Sequence, residues 1–157
     1  MLKVPSKISV MLSTVLSVVL FLACVAGAFL LPTLCDMLIN ARDSISVRDD
    51  LVEGDRVMVL IIAYVILGIL IFADILMFIL LKNVRKSQVF TKGTVSLIRG
   101  VSWCCIALCA AFAALGYYFY LSFVVSFLAI FLGLCLRVVK NCFEEANELK
   151  AENDLTV

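Results

Sequence analysis

Residues 101–136 read VSWCCIALCAAFAALGYYFYLSFVVSFLAIFLGLCL, 36 positions without a charge. As one helix rising 1.5 Å per residue the stretch would be about 54 Å long. A bilayer's hydrocarbon core is about 30 Å thick, and tilt does not absorb so large a difference. The stretch therefore reads as two short spans of about 17 residues each, folded back on one another. The turn falls in GYYFYLS, Gly116 to Ser122, where the glycine relaxes the backbone. Tyr117, Tyr118 and Tyr120 are the rings expected at a headgroup interface. A re-entrant loop that never crosses is the alternative, and both readings leave the C-terminus on the same side.

Composition agrees. The 157-residue chain is 64% hydrophobic and 16% charged, with a mean hydropathy of +1.16. Soluble domains run at roughly 45–50% apolar and about 25% charged residues, so the class is all-α integral membrane protein. Two further apolar runs, Ile8–Leu34 (with Pro32 near its end) and Val57–Leu81, are each long enough to cross once. Four spans result, at about 8–34, 57–81, 101–117 and 121–137. The first reads as a retained span, because it is longer than a signal-peptide core and continues past LAC (22–24) and AGA (26–28), the sites where cleavage would be sought.

Lys and Arg give an orientation. Lys3 and Lys7 precede the first span, and the loop of residues 82–100 holds Lys82, Arg85, Lys86, Lys92 and Arg99 with no acid. Arg137, Lys140 and Lys150 follow the fourth span. The loop of residues 35–56 instead carries six acidic against three basic side chains, and the turn near residue 118 has no charge. Cytoplasmic loops carry the basic excess. The expected topology is N-in/C-in, with the basic loop 82–100 and an acidic tail 138–157 in the cytoplasm and the acidic loop outside.

Little points to catalysis. There is no histidine, and the seven cysteines form no CxxC pair. They read as compact apolar packing residues. No nucleophile motif, phosphate-binding glycine loop or metal constellation is evident, so neither an enzyme nor a cofactor is expected. DSISVRDDLVEGDR (43–56) lacks the ligand spacing of a calcium loop. The basic loop is short and nearly without aromatics, which argues against direct nucleic-acid binding.

One residue interrupts the second span, VMVLIIAYVILGILIFADILMFILL (57–81): Asp74. Eighteen Ile, Leu, Val or Phe residues there favour insertion by roughly 5–11 kcal/mol, against about 3 kcal/mol for one central Asp. The span inserts regardless. Intramembrane carboxylates usually face the protein and have a partner. At about 10 Å from the inner boundary, Asp74 matches Ser13 and Ser17 of the antiparallel first span in depth. Those serines head a face continuing through Leu20, Cys24 and Gly27 or Ala28. Arg137, on a fourth-span face with Ser126, Ala129 and Gly133, is the ionic alternative. Either partner makes Asp74 a structural tie. A role in moving protons or cations competes with it but needs more polar groups along a path than the other spans offer.

Beyond the fourth span, RVVKNCFEEANELKAENDLTV (137–157) places Val139, Phe143, Ala146 and Leu149 on one helical face, with Glu144, Glu145, Glu148 and Glu152 mostly off it. A short amphipathic cytoplasmic C-terminal helix is expected. Its acids and the basic loop are suited to attract each other. In that loop Thr91 is placed to cap a helix carrying Val95, Ile98 and Val101. The docking surface expected from these segments comprises Lys82, Arg85, Lys86, Lys92, Arg99, Phe143, Glu144, Glu145, Glu148 and Leu149.

NVRKSQVFTKGTVSLIRGVSW (83–103) and LKAENDLTV (149–157) resemble domain-of-unknown-function family 2975, small bacterial four-span membrane proteins. The first 80 residues resemble it in hydropathy and span count. Gly93-Thr94 stands where the family often has a polar Asn. The resemblance implies an architecture and a bacterial cytoplasmic (inner) membrane location, with no assigned activity. Its genes frequently neighbour one for a small helix-turn-helix regulator, which implies such a protein as a cytoplasmic partner. The reading favoured by residues and resemblance together is a membrane protein that docks or controls a cytoplasmic protein. A small transporter or channel component using Asp74 and a structural protein without a discrete ligand are the alternatives. The small-residue stripes also suit a homo-oligomer, whose number of copies they do not fix.

Overall fold

The computed structural model describes residues 6–40, 53–85 and 92–155. They form four helices: α1 (Ser6–Asn40), α2 (Glu53–Arg85), α3 (Lys92–Gly116) and α4 (Leu121–Leu155). Each is long and apolar enough to cross a membrane. Pro32 lies inside α1 without ending it. A proline removes one backbone hydrogen bond, a loss that spanning helices accommodate by local adjustment.

Residues 117–120 make the turn between α3 and α4. The Tyr118 and Phe119 amides both donate to the Leu115 carbonyl at 3.0 Å, and the Ser122 amide donates to Phe119 O at 2.9 Å. Backbone groups near a bilayer must find such partners within the protein. The turn also carries Phe119 into a cluster with Cys35 of α1 and Val59 of α2, flanked by Leu31, Leu60, Ala63, Leu115 and Tyr118. This cluster ties the α1–α2 end to the α3–α4 turn. At the opposite end Arg99 of α3 meets Glu144 of α4. Neighbouring helices are therefore antiparallel, with the two connections expected outside at one end and the basic segments at the other.

The helices pack in chain order, α1 on α2, α2 on α3 and α3 on α4, and among the described residues α1 and α4 share no packing contact. The result is an open row. Small and hydroxyl residues mark the seams, as they do where lipid supplies no hydrophobic drive between helices. At the α3–α4 seam Ser102 Oγ donates to Gly133 O at 2.9 Å and Ser126 Oγ to Cys109 O at 2.8 Å. A Cβ on Gly133 would lie 3.2 Å from that of Cys105, so the backbones approach closely there. The outer faces expose Phe29, Leu12 and Phe127 at 70–81%. An apolar surface of that extent suits lipid and would drive association in water.

Two expectations need correction. The last two helices are not short segments of about 17 residues but 25 and 35 residues long. α3 begins within the basic segment, and α4 runs past Arg137 without a break. The C-terminal arm is a continuation of α4, because nothing in RVVKNCFEEANEL interrupts the helix. The packed side of the arm mixes apolar and polar residues. Val139 and Leu149 are exposed, Phe143 and Ala146 half-buried, and Lys140, Glu144 and Asn147 share the half-buried side. Second, Leu20 does not belong to the packed face of α1. It is 53% exposed, whereas Ser17 and Cys35 are buried and Cys24, Gly27 and Ala28 partly so.

Candidate functional site

Two polar clusters stand out. The first lies within the membrane-spanning part of α1 and α2. Ser17 Oγ donates to Asp74 Oδ1 at 2.7 Å, with both residues 6% exposed. The helices are antiparallel, so the twelfth residue of α1 and the twelfth from the end of α2 lie at matching depth. Ser13, one turn earlier, is half-buried and makes no recorded contact with the carboxylate. The adjoining pocket of about 240 Å3 is lined by Ser17, Asp74, Val18, Phe21, Ile75 and Phe78. Four of these six walls are apolar, which suits a tie between helices better than a hydrated path.

Arg137 is not Asp74's partner. Its guanidinium stands 5.2 Å from the centroid of the Trp103 ring on α3, a separation at which a cation and a ring face attract. The physical reason is helix order. α4 packs on α3, and among the described residues it shares no packing contact with α2. The Ser126, Ala129 and Gly133 face turns towards α3 and leaves Arg137 at its exposed edge.

The second cluster is at the joined ends of α3 and α4. Arg99 donates to Glu144 Oε1 at 2.9 Å, and Lys140 Nζ lies 2.7 Å from Oε2 of the same carboxylate. Lys140 and Glu144 are one turn apart, a spacing that brings side chains together on a helix. Only 17% of the Lys140 side chain is exposed, against 38% for Glu144 and 58% for Arg99. Beside this bridge a cleft of about 350 Å3 is lined by Val95, Ser96, Arg99, Glu144, Asn147 and Glu148.

The remaining docking candidates scatter. Lys82 and Arg85 occupy the last turn of α2, where cations favour the negative end of the helix dipole. Lys92 is the first residue of α3. Lys86 and Thr91 lie outside the described residues, as does most of the acidic loop. Glu145 and Leu149 are exposed, and Phe143 is half-buried. Sequence reasoning missed Trp103, Ser102 and Asn147 as participants. The spacing Arg99–Trp103 and Arg137–Lys140–Glu144 was a usable signal, since each set falls on one side of its helix.

Four spanning-length helices in an open row, with one buried polar tie and one charged end cluster, fit a multi-pass membrane protein without an assigned activity. The chain belongs to the family described as "Protein of unknown function (DUF2975)", which it matches over residues 2–157. No curated protein and no solved structure matches it.

Proposed function

We propose that this protein sits in the bacterial cytoplasmic membrane with both ends inside, and that it docks or controls a cytoplasmic protein at the joined ends of α3 and α4. The observation that carries this reading is the Arg99–Glu144–Lys140 bridge with its adjoining cleft. The bridge aligns α4 beyond Arg137 with the start of α3, so a side chain entering the cleft meets residues of both helices. The cleft offers both charge signs and one apolar wall, Val95, which suits a polypeptide partner. Orientation rests on the basic excess near these ends. The family resemblance adds a small helix-turn-helix regulator as the expected partner. The apolar lining around Asp74 favours a structural role there over transport.

The test is photo-crosslinking in living cells, with an activatable residue placed in turn at Ser96, Asn147 and Phe131. One discrete protein adduct from positions 96 and 147, absent from 131, is expected. Lipid adducts alone, or protein adducts from all three positions alike, contradict the proposal.

A further inference from the structure

A second pocket that shares Arg99 with the cleft, about 270 Å3 in volume, is lined by Arg99, Ser102, Trp103, Arg137, Lys140 and Asn141. We infer that this pocket binds the headgroup of an anionic phospholipid. The inference goes beyond docking and rests only on the reading of four membrane spans.

Charge is the first support. Arg99, Arg137 and Lys140 supply three cations, and the carboxylate of Glu144 bridges two of them. The arithmetic, three minus one, leaves two positive charges among these groups. Arg137 is the cation without a carboxylate partner among the described ion pairs, and it is held over Trp103. Stacking on a ring engages a guanidinium's face and leaves its N–H edge to reach acceptor oxygens. The Asn141 side-chain oxygen accepts from Lys140 at 3.2 Å, which leaves its amide nitrogen to donate. Ser102 already donates to Gly133 O.

Depth is the second support. Leu121–Leu136 is uncharged, and the sixteen residue steps from Leu121 to Arg137 rise roughly 24 Å. That is about 6 Å short of a hydrocarbon core of about 30 Å, a gap that the long arginine side chain spans by reaching towards the lipid phosphates. Trp103 marks the same boundary, and Tyr117 and Tyr120 mark the other, as interfacial aromatic belts do.

The third support is the surface below the pocket. Ile130 and Leu134 precede Arg137 at helical spacing and are 38% and 54% exposed. Ala107 and Ala110 follow Trp103 on the exposed side of α3. A headgroup seated on Arg137 would therefore have apolar side chains beneath it for its acyl chains. Basic pockets between spanning helices are a recurrent setting for anionic headgroups.

Trp103 is the chain's single tryptophan, so the site carries its own reporter. The full-length protein would be reconstituted into phosphatidylcholine vesicles containing, at equal mole fraction, either phosphatidylglycerol or phosphatidylcholine with brominated acyl chains. Trp103 quenching should report about five-fold tighter association of the brominated phosphatidylglycerol, the scale of one cationic contact at a membrane surface. The preference should shrink at 1 M salt, where the Debye length falls to about 3 Å. Arg137→Gln and, as a second variant at a different position, Lys140→Gln should each reduce it while leaving helicity unchanged. Equal quenching by the two lipids overturns the inference. Loss of the preference on adding millimolar inorganic phosphate, at matched ionic strength, also overturns it and identifies a free-phosphate site. A preference unchanged in both variants overturns it as well.

Discussion

Ser17 and Asp74 lie 57 positions apart in the chain, and the hydroxyl of one donates to the carboxylate of the other at 2.7 Å. The bond closes the α1–α2 seam about one-third of the way along α1 from its start. Hydrogen bonds between spanning helices contribute about 0.6 kcal/mol on average and at most about 1.7 kcal/mol. Ser17→Ala removes the donor and leaves the acid buried, so it should lower stability by about 1 kcal/mol. Asp74→Asn keeps an acceptor oxygen and should cost less. The double change Ser17→Ala/Asp74→Leu should cost less than the sum of its parts, because replacing both partners by apolar groups leaves nothing unsatisfied. Unfolding in mixed micelles measures the wild type, the single variants Ser17→Ala, Asp74→Asn and Asp74→Leu, and the double variant. Strict additivity would show that the two side chains do not interact.

The glycines of α2 and α4 should respond in opposite directions to the same change. A Cβ at Gly68 meets nothing within 4 Å, so Gly68→Ala should stabilise the helix by up to about 1 kcal/mol. At Gly133 the new methyl would lie 3.2 Å from the Cys105 Cβ, an atom fixed to its own helix backbone. Gly133→Ala should therefore destabilise the α3–α4 pair, and Gly133→Val should do so by about 1–3 kcal/mol. The same unfolding assay checks both. Stabilisation by Gly133→Ala would show the seam to be looser than described.

Part of this was legible in the sequence, for physical reasons that differ by feature. The 36 uncharged residues exceed one bilayer crossing, so four spanning helices and a turn near Tyr118 follow from length alone. Depth counting along antiparallel spans was enough to bring Ser17 towards Asp74. Helix order was not readable. In lipid an exposed Leu20 or Phe127 costs nothing, so hydropathy does not say which helix faces which, and Arg137 stays open as an ionic alternative for Asp74 until α4 is seen to pack on α3. Opposite charge on the arm and the basic loop was legible as an attraction, and Arg99 of α3 meets Glu144 of α4; which acid pairs with which base was not, because several of each lie within reach in sequence.

At the α3–α4 turn Phe119 is 8% exposed between Cys35 and Val59, whereas its neighbour Tyr120 is 57% exposed. Phe119→Ala should lower stability by about 3 kcal/mol, the low end for a buried ring, and Tyr120→Ala should change it little. Comparable effects at the two positions would contradict the inward placement of Phe119.

The bridge between Arg99 and Glu144 is exposed enough for salt to screen it. Its effect should be local. Spin labels at Ser96 and Asn147 should give a narrow distance distribution at low salt that broadens at 1 M. Glu144→Gln should broaden it at low salt and remove most of the salt response. A distribution insensitive to both changes would mean that packing alone holds the arm.

Cytoplasmic docking requires the Arg99–Glu144 end to lie inside the cell. In a cysteine-free protein, single cysteines at Tyr120 and Asn147 would be challenged with an impermeant maleimide, before and after the membrane is opened. Position 120 should react in sealed cells and position 147 only after opening. Reaction of both positions on one side, or the reverse pattern, would contradict cytoplasmic docking.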